Sequence, residues 1–240
     1  MINELSKAQV ASLSKLKQKK YRKLEQKVVV EGSRLLNQLA EWGIYALELY
    51  LREDASAIRA NKTFRVGEEA MQRICDSDSP PAVAGLFPIP KEREREFRFA
   101  FYLDGISDPG NMGTIFRIAA AFGVDCLLLS PSCCEVSSPK VIRASLGAVY
   151  KVPFRECKLE ELKEAGSKVM ILDMEGSVSL GDLSLTPEPL VIVVGGEAHG
   201  VSVEAKTMAD LSIRIEMPGQ MESLNAAVCA GICAYELCKK

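Results

Sequence analysis

Apolar and polar residues follow two periods along this chain, and where the pattern changes it divides the chain in two. In residues 1–90 the segments are short and mixed. Lys27-Val28-Val29-Val30 is a brief apolar run that reads as a strand. Arg34–Trp42 repeats apolar residues at helical spacing, with Ser33 as its expected cap and Gly43 as its stop. Ala46–Leu51 alternates like a strand, Val66–Cys75 reads as a second helix, and Ala82–Phe87 is a further strand beyond Pro80-Pro81. Proline and then alternating charge follow in Pro88–Glu96, the best linker in the sequence. The expected division is a small α/β domain at 1–90, a linker at 91–98 and a larger α/β domain at 99–240.

The second half alternates strands and helices. Strands are expected at Phe99–Leu103, Asp125–Ser130, Lys168–Met174, Leu190–Val194 and Leu211–Ile215, with Val149–Phe154 extended. Helices are expected at Met112–Phe122, Lys140–Gly147, Leu159–Ala165 and Ser223–Leu237. Such alternation implies a mostly parallel sheet covered on both faces. Ligands in sheets of this kind bind beyond the carboxyl ends of the strands. Three candidate loops sit there: Asp104–Gly113, Gly195-Gly196-Glu197-Ala198-His199-Gly200 after the most apolar strand, and Ile215–Asn225 leading into the last helix. Glycine-rich turns let backbone approach a ligand without side chains in the way. Together these loops suggest a cofactor pocket.

The last helix is apolar on nearly every side, through Leu224, Ala226, Ala227, Val228, Ala230, Ile232, Ala234 and Leu237. A terminal helix keeps a wet face unless something covers it. We read this one as the interface of a homodimer, with small residues such as Gly231 allowing close helix approach, against the alternative of a helix buried inside one subunit.

Composition narrows the class. The 240 residues are 48% hydrophobic, as in an ordinary globular protein. No apolar run approaches the roughly 20 residues that span a bilayer, and the first residues hold no signal-peptide core. A cytoplasmic location is therefore expected. The chain has eight cysteines but one histidine and no Cys-x-x-Cys pair, so neither a metal site nor disulfides are expected. Cys229, Cys233 and Cys238 fall in an Ala-rich helical pattern, where cysteine acts as a small hydrophobe. Adjacent Cys133 and Cys134 have no nearby base to make a nucleophile. Net charge is −2, which alone says nothing for or against nucleic acid. Its distribution says more. Lys15, Lys17, Lys19, Lys20, Arg22, Lys23 and Lys27 crowd one segment against Glu25 alone. That run is either a solvated helix face or a phosphate-contacting arm.

Asn111-Met112-Gly113-Thr114-Ile115-Phe116-Arg117, Gly195–Gly200 and Ile215–Asn225 resemble, in order, the three motifs of the SpoU (TrmH-like) RNA 2′-O-ribose methyltransferases, a branch of the SPOUT superfamily. Ser138–Ala148 resembles the family's intermediate segment, and the N-terminal unit is similar to its small L30e-like RNA-binding domain. The resemblance implies an α/β catalytic domain tied in a trefoil knot, S-adenosylmethionine as cofactor, an RNA substrate and a homodimer with sites at the interface. Ribosomal RNA is favoured over transfer RNA by the L30e-like unit.

The resemblance also implies residue roles. Arg117 would act on the ribose or its phosphate, in its own subunit or across the dimer. A guanidinium stays protonated to above about pH 12, so stabilising the developing alkoxide suits it better than accepting a proton. Asn111, a helix cap by default, would also orient the ribose and Arg117. Glu197 would orient the site, with Ser223 a natural cap and Asn225 lining the pocket. Gly195, Gly196, Ile215, Met217 and Leu224 would hold the cofactor, chiefly through backbone. Lys17, Lys19, Lys20, Arg22, Lys23, Arg34 and Arg143 would contact RNA. His199 lies where the family fixes no residue and receives no catalytic role. Where the family usually has proline, this chain has Glu216. A generic nucleotide-binding enzyme is disfavoured because no Gly-x-x-x-x-Gly-Lys-Ser/Thr loop is present. A non-catalytic RNA-binding relative is disfavoured by the retained Asn111, Arg117, Glu197, Ser223 and Asn225.

Overall fold

In the computed structural model, which describes residues 3–53, 55, 56, 58–183, 187–219, 221 and 223–239, the chain forms two compact units. One comprises residues 1–90 with 137–147, the other 91–136 with 148–240.

The first unit holds β1 (Asn3–Glu4), α1 (Lys7–Lys15), α2 (Lys19–Glu25), β2 (Lys27–Glu31), α3 (Ser33–Glu41), β3 (Ala46–Leu51), β4 (Ala60–Arg65), α4 (Glu68–Ile74) and β5 (Val83–Pro88). Its sheet has the order β1-β4-β3-β5-β2. Val10, Leu13, Val29, Tyr50, Phe64, Met71, Ile74 and Leu86 form its core. Strand β4 is one element the apolar pattern misses. Of Ala60-Asn61-Lys62-Thr63-Phe64-Arg65 only Phe64 is buried, so pairing with β3, not hydrophobicity, makes it a strand. Helix α3 begins at Ser33 itself. Its cap is Gly32, at a φ of 97° that glycine tolerates and other residues avoid.

The second unit holds β6 (Phe99–Asp104), α5 (Pro109–Phe122) and β7 (Cys126–Leu129). Helix α6 (Pro139–Ala144), next in chain order, belongs to the first unit, and the second continues with β8 (Phe154–Glu156), α7 (Leu159–Glu164), β9 (Lys168–Leu172), β10 (Val178–Ser179), β11 (Leu190–Gly195), α8 (Val203–Met208), β12 (Leu211–Arg214) and α9 (Ala226–Cys238). Its sheet is parallel throughout, in the order β10-β12-β9-β11-β6-β7-β8. The central strand β11 is Leu190-Val191-Ile192-Val193-Val194-Gly195, buried from Leu190 to Val194, as a strand covered on both faces must be. Val191 and Val193 pack with Leu159, Leu162, Val201 and Ala205 from the α7 and α8 side. Successive side chains alternate, so Ile192 and Val194 face the opposite layer. There α9 lies against β11 and α5. Gly231 sits where an added Cβ would be 3.4 Å from Ile118, so this small residue serves packing within the chain as well as any contact outside it.

Two further expectations are corrected. Val149–Phe154 is not one extended segment. Val149 and Val152 are buried three residues apart, the spacing of the 3₁₀ turn at Ala148–Tyr150, and the strand starts only at Phe154. The segment Ser137–Gly147, read with the second half, packs in the first unit. Helix α6 lies on β2, where Arg143 Nη1 is 3.6 Å from the buried Glu31 carboxylate. That carboxylate also accepts the amides of Asp76 and Ser77 and the Ser77 hydroxyl. Gly147 fits only because it lacks a side chain: a Cβ there would lie 2.7 Å from Leu39.

Candidate active site

The carboxyl ends of β9, β11 and β12 enclose a cavity of about 300 Å³. Its wall is apolar at Leu172, Val201, Ile213, Ile215, Met217 and Leu224, and its rim carries Asp173, Glu197, His199, Lys206 and Ser223. The expected cofactor residues Gly195, Gly196, Ile215, Met217 and Leu224 all line it. Gln220 and Glu222 of the third motif lie outside the described residues.

Backbone shapes this cavity. A bridge between Gly196 and Gly200 folds the loop after β11 on itself, closed by the Gly200 amide on the Gly196 carbonyl at 2.9 Å. A side chain on Gly195 would strike the backbone of Gly200 and Val201. One on Gly196 would come within 2.6 Å of the Gly105 carbonyl. The glycines are therefore required by close backbone approach, with main-chain groups left facing the cavity.

Beside it the three motifs join through side chains. Helix α5 starts at Pro109, capped by Asp108, whose Oδ1 accepts the Asn111 amide at 2.8 Å. Asn111 is thus not the cap, and its side chain is free for other work. Asn111 Nδ2 donates to Glu197 Oε1 at 2.6 Å, and Asn225 Nδ2 donates to Asn111 Oδ1 at 2.9 Å. Asn225, not Ser223, caps α9: its Oδ1 accepts the amides of Ala227 and Val228 at 2.9 and 3.3 Å. Glu197 therefore belongs both to the cavity rim and to this chain of amides. Ser107, which the motif reading passed over, approaches its other oxygen at 3.4 Å.

Arg117 stands apart. Six residues beyond Asn111 on α5, it points roughly 120° around the helix axis from it. It is exposed and makes no hydrogen bond or ion pair among the described residues. It shares the outer face of α5 with Thr114 and Ala121. The outer face of α9 carries Val228, Ile232 and Tyr235, which are 48%, 36% and 57% exposed. Phe122 of α5 meets Tyr235 edge-on with ring centroids 6.2 Å apart.

Charge at the rim is organised. Asp173 is held below the ordinary carboxylate range by the amide of Glu175 and by Lys206, whose Nζ is 3.0 Å away. Glu216, in the family's proline position, pairs with Arg214 at 2.9 Å on an exposed surface, an interaction worth little. Burial pushes the thiols of Cys126 and Cys134 up to about 12, and all eight cysteines are free. No cluster of three metal-ligating side chains occurs among the described residues.

The expected RNA-contacting residues divide. Lys19, Lys20 and Lys23 on α2, and Arg34 on α3, are exposed. Lys17 donates to the Gln72 carbonyl at 3.3 Å, and Arg143 is engaged with Glu31. Arg22 is corrected: it is 4% exposed, and its guanidinium donates to the carbonyls of Leu16 and Lys17 at 3.0 and 2.7 Å. It clamps the α1–α2 turn.

The SpoU rRNA Methylase family matches residues 98–235, which carry all three motifs. The chain belongs to that family. An MRM3-like substrate binding domain matches residues 7–85. The 23S rRNA (guanosine(2553)-2′-O)-methyltransferase RlmP of Bacillus subtilis is 26% identical over 236 residues, 95% of each chain. A Porphyromonas gingivalis protein assigned to the TrmH family of RNA methyltransferases is 29% identical, with a TM-score of 0.83 over 98% of both chains. An AdoMet-bound rRNA methyltransferase from Sinorhizobium meliloti is 26% identical, with a TM-score of 0.79 over 98% of this chain and 95% of that one. The SpoU relationship accounts for the paired architecture of a seven-stranded parallel sheet and a smaller α/β unit.

Proposed function

We infer that this protein transfers a methyl group from S-adenosylmethionine to a ribose 2′-hydroxyl of a structured RNA, with ribosomal RNA as the favoured substrate. The observation that carries the reading is the Asn111–Glu197–Asn225 hydrogen-bond chain, built from three separate motifs beside a glycine-walled cavity. The cavity suits the cofactor. Its volume is at the small end of the range for organic ligands. Its apolar wall fits an adenine ring, and its backbone groups stand ready to bond the ring edge and ribose.

The bound cofactor supplies an electrophilic methyl on a sulfonium. The protein's residues do the rest. Leu172, Ile215, Met217 and Leu224 exclude water, which favours a reaction in which opposite charges cancel. Glu197 fixes the Asn111 amide, and Asn225 fixes its carbonyl, so Asn111 presents a defined face to the ribose. Arg117 stabilises the developing alkoxide.

Arg117 acts from a second copy of the chain in this reading. It lies on the exposed face of α5, and α9, which packs on α5, leaves Val228, Ile232 and Tyr235 exposed. A homodimer built on α5 and α9 covers those side chains and carries Arg117 toward the partner's site. The catalytic unit carries the family's trefoil knot in this reading. The exposed Lys19, Lys20, Lys23 and Arg34 contact RNA phosphates. The cytoplasm, where thiols stay reduced, suits its eight free cysteines.

Incubation with labelled S-adenosylmethionine and unmodified ribosomal or transfer RNA, separately, tests this. A 2′-O-methyl nucleotide in ribosomal RNA is expected. Label in transfer RNA alone overturns the substrate, and absence of cofactor binding overturns the activity.

A further inference from the structure

Asp104 ends β6 in register with Gly195 of β11, beside the cofactor loop but outside the cavity wall. Its Oδ2 accepts the Ser202 amide at 2.8 Å, just past the end of the Gly195–Gly200 loop. Ser202 in turn caps α8 by accepting the Ala205 amide at 3.1 Å. The next residue, Gly105, has a φ of 71° and sets its carbonyl against Gly196. The Gly105 amide donates to Ser130 Oγ at 2.9 Å, and the Ser130 amide donates to the Leu103 carbonyl at 3.0 Å. The ends of β7, β6 and β11 are tied in sequence by these bonds, and the tie finishes at the loop.

That loop contains three glycines, the residues with the most freedom to lose. A ligand that binds through backbone must either find the backbone already placed or spend affinity on ordering it. We propose that Asp104 is a positioning residue for the cofactor: through the Ser202 amide it pins the far end of the Gly195–Gly200 loop, on a turn that Gly105 and Ser130 hold in place. The proposal rests on the methyltransferase reading above. Glu197, also in the loop, is held separately by Asn111, so loosening the far end weakens cofactor binding more than it slows transfer.

Calorimetric titration of the full chain with S-adenosylmethionine, alongside steady-state kinetics, tests it. Asp104→Ala is expected to weaken cofactor binding about tenfold, the size of one lost charge-assisted hydrogen bond. The KM for RNA and kcat at saturating cofactor should stay within about twofold of the parent values. Asp104→Asn, which keeps an acceptor, should restore most of the affinity. Ser202 has a φ of −62°, which proline matches. Ser202→Pro removes the amide proton and should weaken binding as Asp104→Ala does, whereas Ser202→Ala, which loses only the α8 cap, should not. If Asp104→Ala does not fold, the Ser202 pair decides. Parental affinity in Asp104→Ala, or an Asn variant as weak as the Ala variant, overturns the positioning role alone. Failure of the parent protein to bind S-adenosylmethionine overturns the methyltransferase reading and this proposal with it.

Discussion

Asn111 takes its position from the residue three places before it. Because Asp108 caps α5, the Asn111 side chain does not turn back on its own helix and reaches Glu197 and Asn225 instead. Asn225 does two jobs with one amide: its oxygen caps α9 and its nitrogen bonds Asn111. Sequence motifs name these three residues, but the hydrogen bonds that connect positions 86 and 114 residues apart come from folding alone. Arg117 differs, since no described residue of its own chain engages it. Arg117→Ala is expected to reduce methyl transfer at least about 100-fold, the scale of losing one transition-state donor, with cofactor affinity within about twofold. Transfer near the parental rate would remove Arg117 from the reaction. Asp173 gives a test against pH. Its folded-state pKa is depressed by the Glu175 amide and Lys206, so it adds stability above the unfolded-state value near 4 and loses it as pH falls through the folded value. Thermal melting followed from about pH 5 down to about pH 2 should fall less steeply in Asp173→Asn than in the parent.

Among the elements, α9 carries the clearest unsatisfied surface. Its inner face packs on α5 and β11 through Ala227, Ala230, Cys233 and Ala234, all buried, while Val228, Ile232 and Tyr235 remain exposed along the other side at helical spacing. Apolar residues on all sides read in the sequence as a covered helix, and that reading carries both packing within the chain and the proposed dimer. Ile232→Glu should convert a dimer to monomer in sedimentation experiments and abolish transfer, because a buried unpaired charge is costly. A monomeric parent protein would sink the interface. Helix α2 shows the opposite balance. Lys19, Lys20 and Lys23 face solvent while Arg22, one residue from Lys23, is buried as a clamp on the turn. A run of like charges does not reveal which member turns inward, since that depends on which carbonyls the fold leaves without partners.

For the whole molecule, the division into units changes how RNA binding is tested. Removal of residues 1–90 would also strip α6 of the β2 surface and the Glu31 carboxylate it packs on. Charge reversal at Lys19, Lys20 and Lys23 avoids this. The triple substitution to Glu should weaken RNA binding by about tenfold or more and flatten its salt dependence, with cofactor affinity unchanged. Equal RNA affinity in filter binding at two salt concentrations would clear α2 of any phosphate role.

Sequence alone determined most of the second unit. Its central strands β6, β7 and β11 are buried almost throughout and read as apolar runs, so local pattern and tertiary environment agree there, and the glycine loops mark the carboxyl ends where a ligand binds. The strand β4 was illegible because one buried Phe64 among polar residues carries no periodic signal, and strand pairing supplies what hydrophobicity does not. The caps at Asp108 and Asn225 were illegible because several capping residues lie within a turn of each helix start, and backbone geometry chooses among them. Tertiary structure alone decided that residues 137–147 leave the domain their sequence neighbours build. It also decided that Asp104, Asn111, Glu197 and Asn225 meet at one end of a parallel sheet. Those contacts join residues from β6, α5, the loop after β11 and the start of α9, and no local pattern encodes a distance between segments that only the sheet brings together.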